Sequence, residues 1–129
     1  GYQLFAAAWI GLLAGSLPKR IRGSREIAML IVYGIVAAQL FGILMDLQFW
    51  PWALGSSTQL SYIPNGDLSE NISRFITFHF ATSMAWDIPR AIFTSVLIAL
   101  SGKAVLSALR RTHTRAAFLA PVVFTEHVK

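Results

Sequence analysis

No cysteine occurs among the 129 residues, so disulfide frameworks and thiolate metal sites are excluded and nothing marks a redox compartment. Charge is scarce as well. Asp, Glu, Lys and Arg make up 13 % of the chain, against about 25 % in an ordinary soluble domain, and so few charges cannot cover a globule. The middle of the sequence is the poorest part: between Ile27 and Gly102 the only cations are Arg74 and Arg90. A Gly-rich phosphate loop, a nucleophile elbow and paired carboxylates at usable spacing are also missing from the sequence. An enzyme assignment therefore has no constellation to rest on, and none is expected.

What the chain does have is apolar length: 55 % of its residues are hydrophobic. Its cations flank the apolar runs, with Lys19, Arg20, Arg22 and Arg25 on one side and Lys103, Arg110, Arg111 and Arg115 on the other. In a soluble protein a net charge of +5 would suggest nucleic acid; here membrane topology explains it better, and no nucleic-acid partner is expected. The start at Gly1, with no short apolar region and small-residue cleavage site behind it, reads as a truncation inside a larger protein.

Three spans are expected. The first, Tyr2 to Leu17, is slightly shorter than the ~20 residues that cross a hydrocarbon layer. Ala7, Gly11 and Gly15 recur on one face of it, as in helices that approach a neighbour closely. After Pro18 and a basic loop, Ser24 is placed to cap the next helix, and Ile27 to Met45 forms a second span in which Ala38 and Gly42 repeat the small-residue spacing. Asp46 to Trp52 marks its interfacial end, and Pro51 stops the helix there or soon after. Gly55 to Glu70 is a long loop, with Asp67 or Ser69 placed to cap a helix beginning near Asn71.

Asn71 to Arg111 is too long for one span. Pro89 predicts a break near Ala85 to Ile88, giving an outer helix (Asn71 to Met84), a third span from about Asp87 to Leu106, and a basic tail. Both basic clusters then face the cytoplasm and the long loop lies outside.

Several residues are candidates for binding. Asp87 and Arg90, three apart, share a helix face and neutralise each other; with Trp86 they read either as the outer mouth of a pocket or as a brace between helices. On this reading Asp87 is the deeper charge and Asp46 is solvated at the interface, so loss of Asp87 should do more harm. Arg74 and Phe78 suit a ring-containing ligand or an interfacial anchor. His79 stands alone, which argues against a metal, and no cofactor is expected. Gln39, in mid-span, either bonds a neighbouring helix or lines a cavity. Trp50, Trp52 and Tyr62 are belt residues or stacking surfaces.

The runs Ala6-Ala7-Ala8-Trp9-Ile10-Gly11, Leu47-Gln48-Phe49-Trp50-Pro51 and Thr82-Ser83-Met84-Ala85-Trp86-Asp87-Ile88-Pro89-Arg90-Ala91 resemble the substrate-binding S component of energy-coupling factor (ECF) vitamin transporters. The actinobacterial, cobalamin-type group is the nearest in character. The resemblance extends to about Phe118, which sets a membrane domain at residues 1–118 and a tail at 119–129. It implies an all-α polytopic bundle of about six helices, of which this chain is the C-terminal half. It also implies a multi-pass protein of the cell membrane that captures a vitamin-type small molecule outside and topples to release it, driven by a transmembrane coupling subunit and two ATPases of an ABC-type importer. By the same resemblance the site lies in Trp50 to Tyr62 and Arg74 to Arg90. Two other readings remain open: a structural or assembly subunit of a membrane complex, and a membrane enzyme whose catalytic residues lie elsewhere.

Overall fold

The computed structural model describes residues 1–55 and 58–115. Four helices carry the chain: α1 (Tyr2–Gly15), α2 (Ser24–Ala53), α3 (Leu68–Thr82) and α4 (Met84–Arg115), with no strand among the described residues. The all-α class expected from the sequence is the one found. The segment 119–129 and the boundary at Phe118 lie outside the described residues.

Two helices, α2 and α4, are long and apolar enough to cross a membrane. Their 30 and 32 residues extend roughly 45 and 48 Å at 1.5 Å per residue, well past the ~30 Å of hydrocarbon. Helices of that length, placed in a membrane, would tilt or carry an end into the interface. The apolar α1 has only 14 residues, roughly 21 Å, so the described chain contains two helices of spanning length where the sequence led us to expect three spans.

Local chemistry sets the helix ends, not always where expected. Gly23, at φ 70°, is the N-cap of α2 and contributes no side chain, so Ser24 is the first helical residue instead of the cap. Asp67 caps α3, its carboxylate accepting from the amides of Ser69 (3.0 Å) and Glu70 (3.3 Å), and the helix starts at Leu68, three residues before the expected Asn71. Pro51 lies inside α2, which runs only two residues further to Ala53.

The break between α3 and α4 falls at Ser83, upstream of the Ala85 to Ile88 region expected from Pro89. Ser83 serves both helices. Its amide donates to the carbonyl of His79 (2.8 Å), closing α3, and its carbonyl accepts from the amides of Trp86 and Asp87 (2.9 Å each), opening α4. Pro89 lies within α4, where the amide it lacks leaves only the Ala85 carbonyl without its usual partner.

α2 and α4 run antiparallel and in close contact. A Cβ added to Gly102 would lie 3.0 Å from Ile27, and one added to Gly34 would lie 3.2 Å from both Thr94 and Ile98. The buried face of α2 reads Gly34, Ala38, Gly42, Asp46 and Trp50, each four residues after the last. A four-residue step overshoots the 3.6-residue turn by about 40°, so this stripe slants around the helix as it ascends. Its lower, small members meet α4; its upper, polar and aromatic members meet the α3–α4 junction and the loop.

α1 packs on α2 through buried Ala6 and through the Tyr33 hydroxyl, which donates to the Ile10 carbonyl. The Ala7, Gly11, Gly15 face is not the one used. Cβ atoms added to Gly11 or Gly15 would meet nothing within 4 Å. α3 buries Asn71, Phe78 and His79 and exposes Leu68, Ile72, Ile76 and Phe80, a second four-spaced row that suits an apolar surrounding.

Candidate functional site

At the upper end of the α2–α4 pair, buried polar side chains form a connected group. Asp46, expected to be solvated, is instead 8 % exposed. Its Oδ2 accepts from His79 Nδ1 (2.7 Å) and from the Ser83 hydroxyl. An ionised carboxylate can only accept, so with Asp46 ionised the imidazole proton would lie on Nδ1. His79 is thus not solitary, as its place in the sequence suggested: its partner lies 33 residues away, on another helix.

Asp87 lies one turn below and is 1 % exposed. Its backbone amide bonds the Ser83 carbonyl, which links it to the Asp46 group. Its Oδ1 accepts from Arg90 Nη1 at 2.8 Å, so the expected pairing forms. The other oxygen, Oδ2, has no hydrogen-bond partner among the described residues. It lies against Gly42, and a Cβ there would fall within the carboxyl group, 2.5 Å from Asp87 Cγ. Arg90 leans across α2, with Nη1 3.5 Å from the Ala38 carbonyl and its guanidinium 5.0 Å over the Phe41 ring. The Asp87–Arg90 pair therefore joins α4 to α2. Trp86 does not join it: at 74 % exposure it stands on the outside of α4.

Above Asp46 the stripe ends in Trp50, whose indole donates to the Leu60 carbonyl at 2.6 Å. Tyr62 and Phe75 meet the Trp50 ring edge-on, with centroids 5.6 and 5.4 Å away, and Phe75 stacks on His79 at 6.2 Å. The loop is strapped down over this cluster. Asn71 makes a two-way bond with the Ile63 backbone, 2.9 Å each way, and Arg74 reaches the Gln59 carbonyl (2.7 Å) while pairing with Glu70 (2.8 Å). Arg74 thus holds the loop in place. Around it lies a shallow polar depression of about 500 Å³ with Gln59, Ser73 and Thr77.

Of the ten candidates read from the sequence, Asp46, Trp50, Tyr62, His79, Asp87 and Arg90 come together, and Arg74 braces their lid. Trp52, 82 % exposed, is directed away, and Gln39 sits half-buried in a separate apolar groove beside Ile88, Ala91 and Ser95. Gly42, Ser83, Asn71 and Phe75 belong to the site without being binding candidates in the sequence, where Gly42 stood only for close helix packing. The four-residue spacing from Gly34 to Trp50 is the signal that could have found Gly42. Ser83 lies in the run that resembles S components, but no local pattern predicts its contact with Asp46.

Near the loop, Asp67 has its carboxyl held below the ordinary carboxylate range, chiefly by the hydroxyl of Ser69 and then by the amide of Glu70. Among the described residues no group of three His, Cys, Asp or Glu side chains could hold a metal ion. The arrangement gathers hydrogen-bond acceptors, one guanidinium and edge-on rings at one end of the α2–α4 pair. A comparison of the chain with family models, with curated proteins and with solved structures returns no match.

Proposed function

We propose that this chain is part of the membrane-embedded substrate-capture subunit of an ECF-type importer for a vitamin, cobalamin being the first candidate, and that it is not itself an enzyme. In this reading it is a multi-pass protein of the cell membrane, its basic loops face the cytoplasm, and a coupling subunit with two ATPases supplies the energy.

One observation carries the proposal: a connected polar group in which Asp46, His79 and Asp87 are buried, with Asp87 Oδ2 unpartnered among the described residues, sits at one end of two apolar helices beneath a strapped loop. Charges at membrane depth are costly and mark functional positions. The resemblance of the Thr82 to Ala91 segment to S components supplies the substrate class. A second reading, an assembly subunit without a ligand, draws on the engagement of Arg74 and Asn71 within the protein and on the outward Trp52 and Trp86.

The test is retention of a ligand by the full-length protein. Native mass spectrometry after mild solubilisation should show a vitamin-sized adduct, and added cobalamin, thiamine or riboflavin should bind saturably. A protein that carries no adduct and binds none of the three would overturn capture and favour assembly.

A further inference from the structure

Antiparallel packing gathers the cations that the sequence keeps apart. Gly102 lies against Ile27, and Arg110 pairs with Glu26, so the start of α2 and the last turns of α4 share one end of the molecule. The turn from α1 into α2 brings Lys19, Arg20, Arg22 and Arg25 to that end, and α4 adds Lys103, Arg110 and Arg111. The only carboxylate there among the described residues is Glu26, which is buried and engaged by Arg110 and, at 3.7 Å, by Arg22. Lys19, Arg20, Arg25, Lys103 and Arg111 are exposed, and no carboxylate pairs with them among the described residues. At the other end Asp46, Asp67, Glu70 and Asp87 outnumber Arg74 and Arg90.

The position of the patch matters as much as its charge. It crowns the two helices of spanning length, and where those helices cross a bilayer its cations stand at the level of the headgroups. α4 also outruns its partner. Gly102 is level with Ile27, close to the start of α2 at Ser24, and α4 continues for 13 more residues to Arg115, carrying the backbone of Arg110 and Arg111 roughly 12–14 Å beyond that level while the Arg110 guanidinium folds back to Glu26. A helix that emerges in this way, with basic side chains around its base, presents ammonium and guanidinium groups to phosphates from several directions.

We propose that this end is a binding surface for anionic lipid headgroups, recognising their phosphates, and that it concentrates acidic phospholipid around the protein. This goes beyond orientation: a charge bias that only guides insertion requires no lasting preference among lipids. The inference is independent of whether a vitamin binds at the opposite end.

The test uses the full-length protein in phosphatidylcholine vesicles containing a trace of spin-labelled phosphatidylglycerol or spin-labelled phosphatidylcholine. The motionally restricted fraction should favour phosphatidylglycerol severalfold. One molar sodium chloride, which shortens the screening length to about 3 Å, should remove most of that preference without any mutation. The combined variant Lys19→Gln, Arg20→Gln, Arg25→Gln, Lys103→Gln, Arg111→Gln leaves the Arg110–Glu26 pair intact and should reduce the preference to near unity, with the single variant Arg111→Gln intermediate. Equal restriction of both lipids by the unaltered protein would overturn the proposal, as would full selectivity in high salt or in the combined variant. A preference abolished by inorganic phosphate but not by chloride of equal ionic strength would assign the surface to free phosphate and overturn the lipid reading.

Discussion

A side chain at position 42 would enter the space that the Asp87 carboxyl fills, and that contact can be tested directly. Gly42→Ala forces the Asp87 carboxyl to move from a site where it is 1 % exposed, and overpacking of this kind costs about 1–3 kcal/mol. Gly11→Ala meets nothing within 4 Å and should be neutral or slightly stabilising, since alanine is favoured over glycine in helices by about 1 kcal/mol. Thermal midpoints in detergent should fall for the first variant and hold or rise for the second. The pair Asp46 and Asp87 gives a further contrast. The sequence alone suggested that Asp87 mattered more, but Asp46 holds two partners on another segment, and Asp46→Ala would strand His79 and Ser83 at a cost of about 1–3 kcal/mol. We expect the two alanine variants to lower the midpoint comparably, while Asp46→Asn, which keeps one carbonyl acceptor, loses less. A harmless Asp46→Ala would contradict the buried network.

At the scale of the elements, the first turn of α3 depends on one exposed carboxylate. The carboxyl of Asp67 is held below its ordinary range, so its ionised form caps the helix above that range and the stabilisation disappears as pH falls through the lowered value. Amide protection at Ser69, Glu70 and Asn71, corrected for intrinsic exchange, should therefore drop on acidification. Asp67→Asn, whose side chain caps without titrating, should show no such drop. Asp67 was legible in the sequence because capping is local chemistry. So were the apolar length of α2 and the pairing of Asp87 with Arg90, three residues apart on one helix. The Asp46–His79 contact was not legible, since its partners are 33 residues apart and depend on where α3 folds back against α2. The break at Ser83 departs from the one that proline implies for a related reason. Proline announces where a helix is weakened, but here the turn is held where Ser83 meets Asp46.

For the whole molecule, the charge asymmetry predicts a topology, and no cysteine among these 129 residues competes with an introduced one. In intact cells, Tyr62→Cys should react with a membrane-impermeant maleimide, whereas Arg111→Cys should react only after permeabilisation. The reverse pattern would invert the molecule and place the polar group on the cytoplasmic side. The slanted row from Gly34 to Trp50 has a last consequence, for length instead of side-chain identity. A single residue inserted between Ala38 and Gly42 would rotate everything beyond it by about 100°, turning Asp46 and Trp50 out of phase with their partners while leaving hydrophobicity almost unchanged. The stretch of α2 from Gly34 to Trp50 can therefore vary in composition on its lipid side far more freely than in its number of residues.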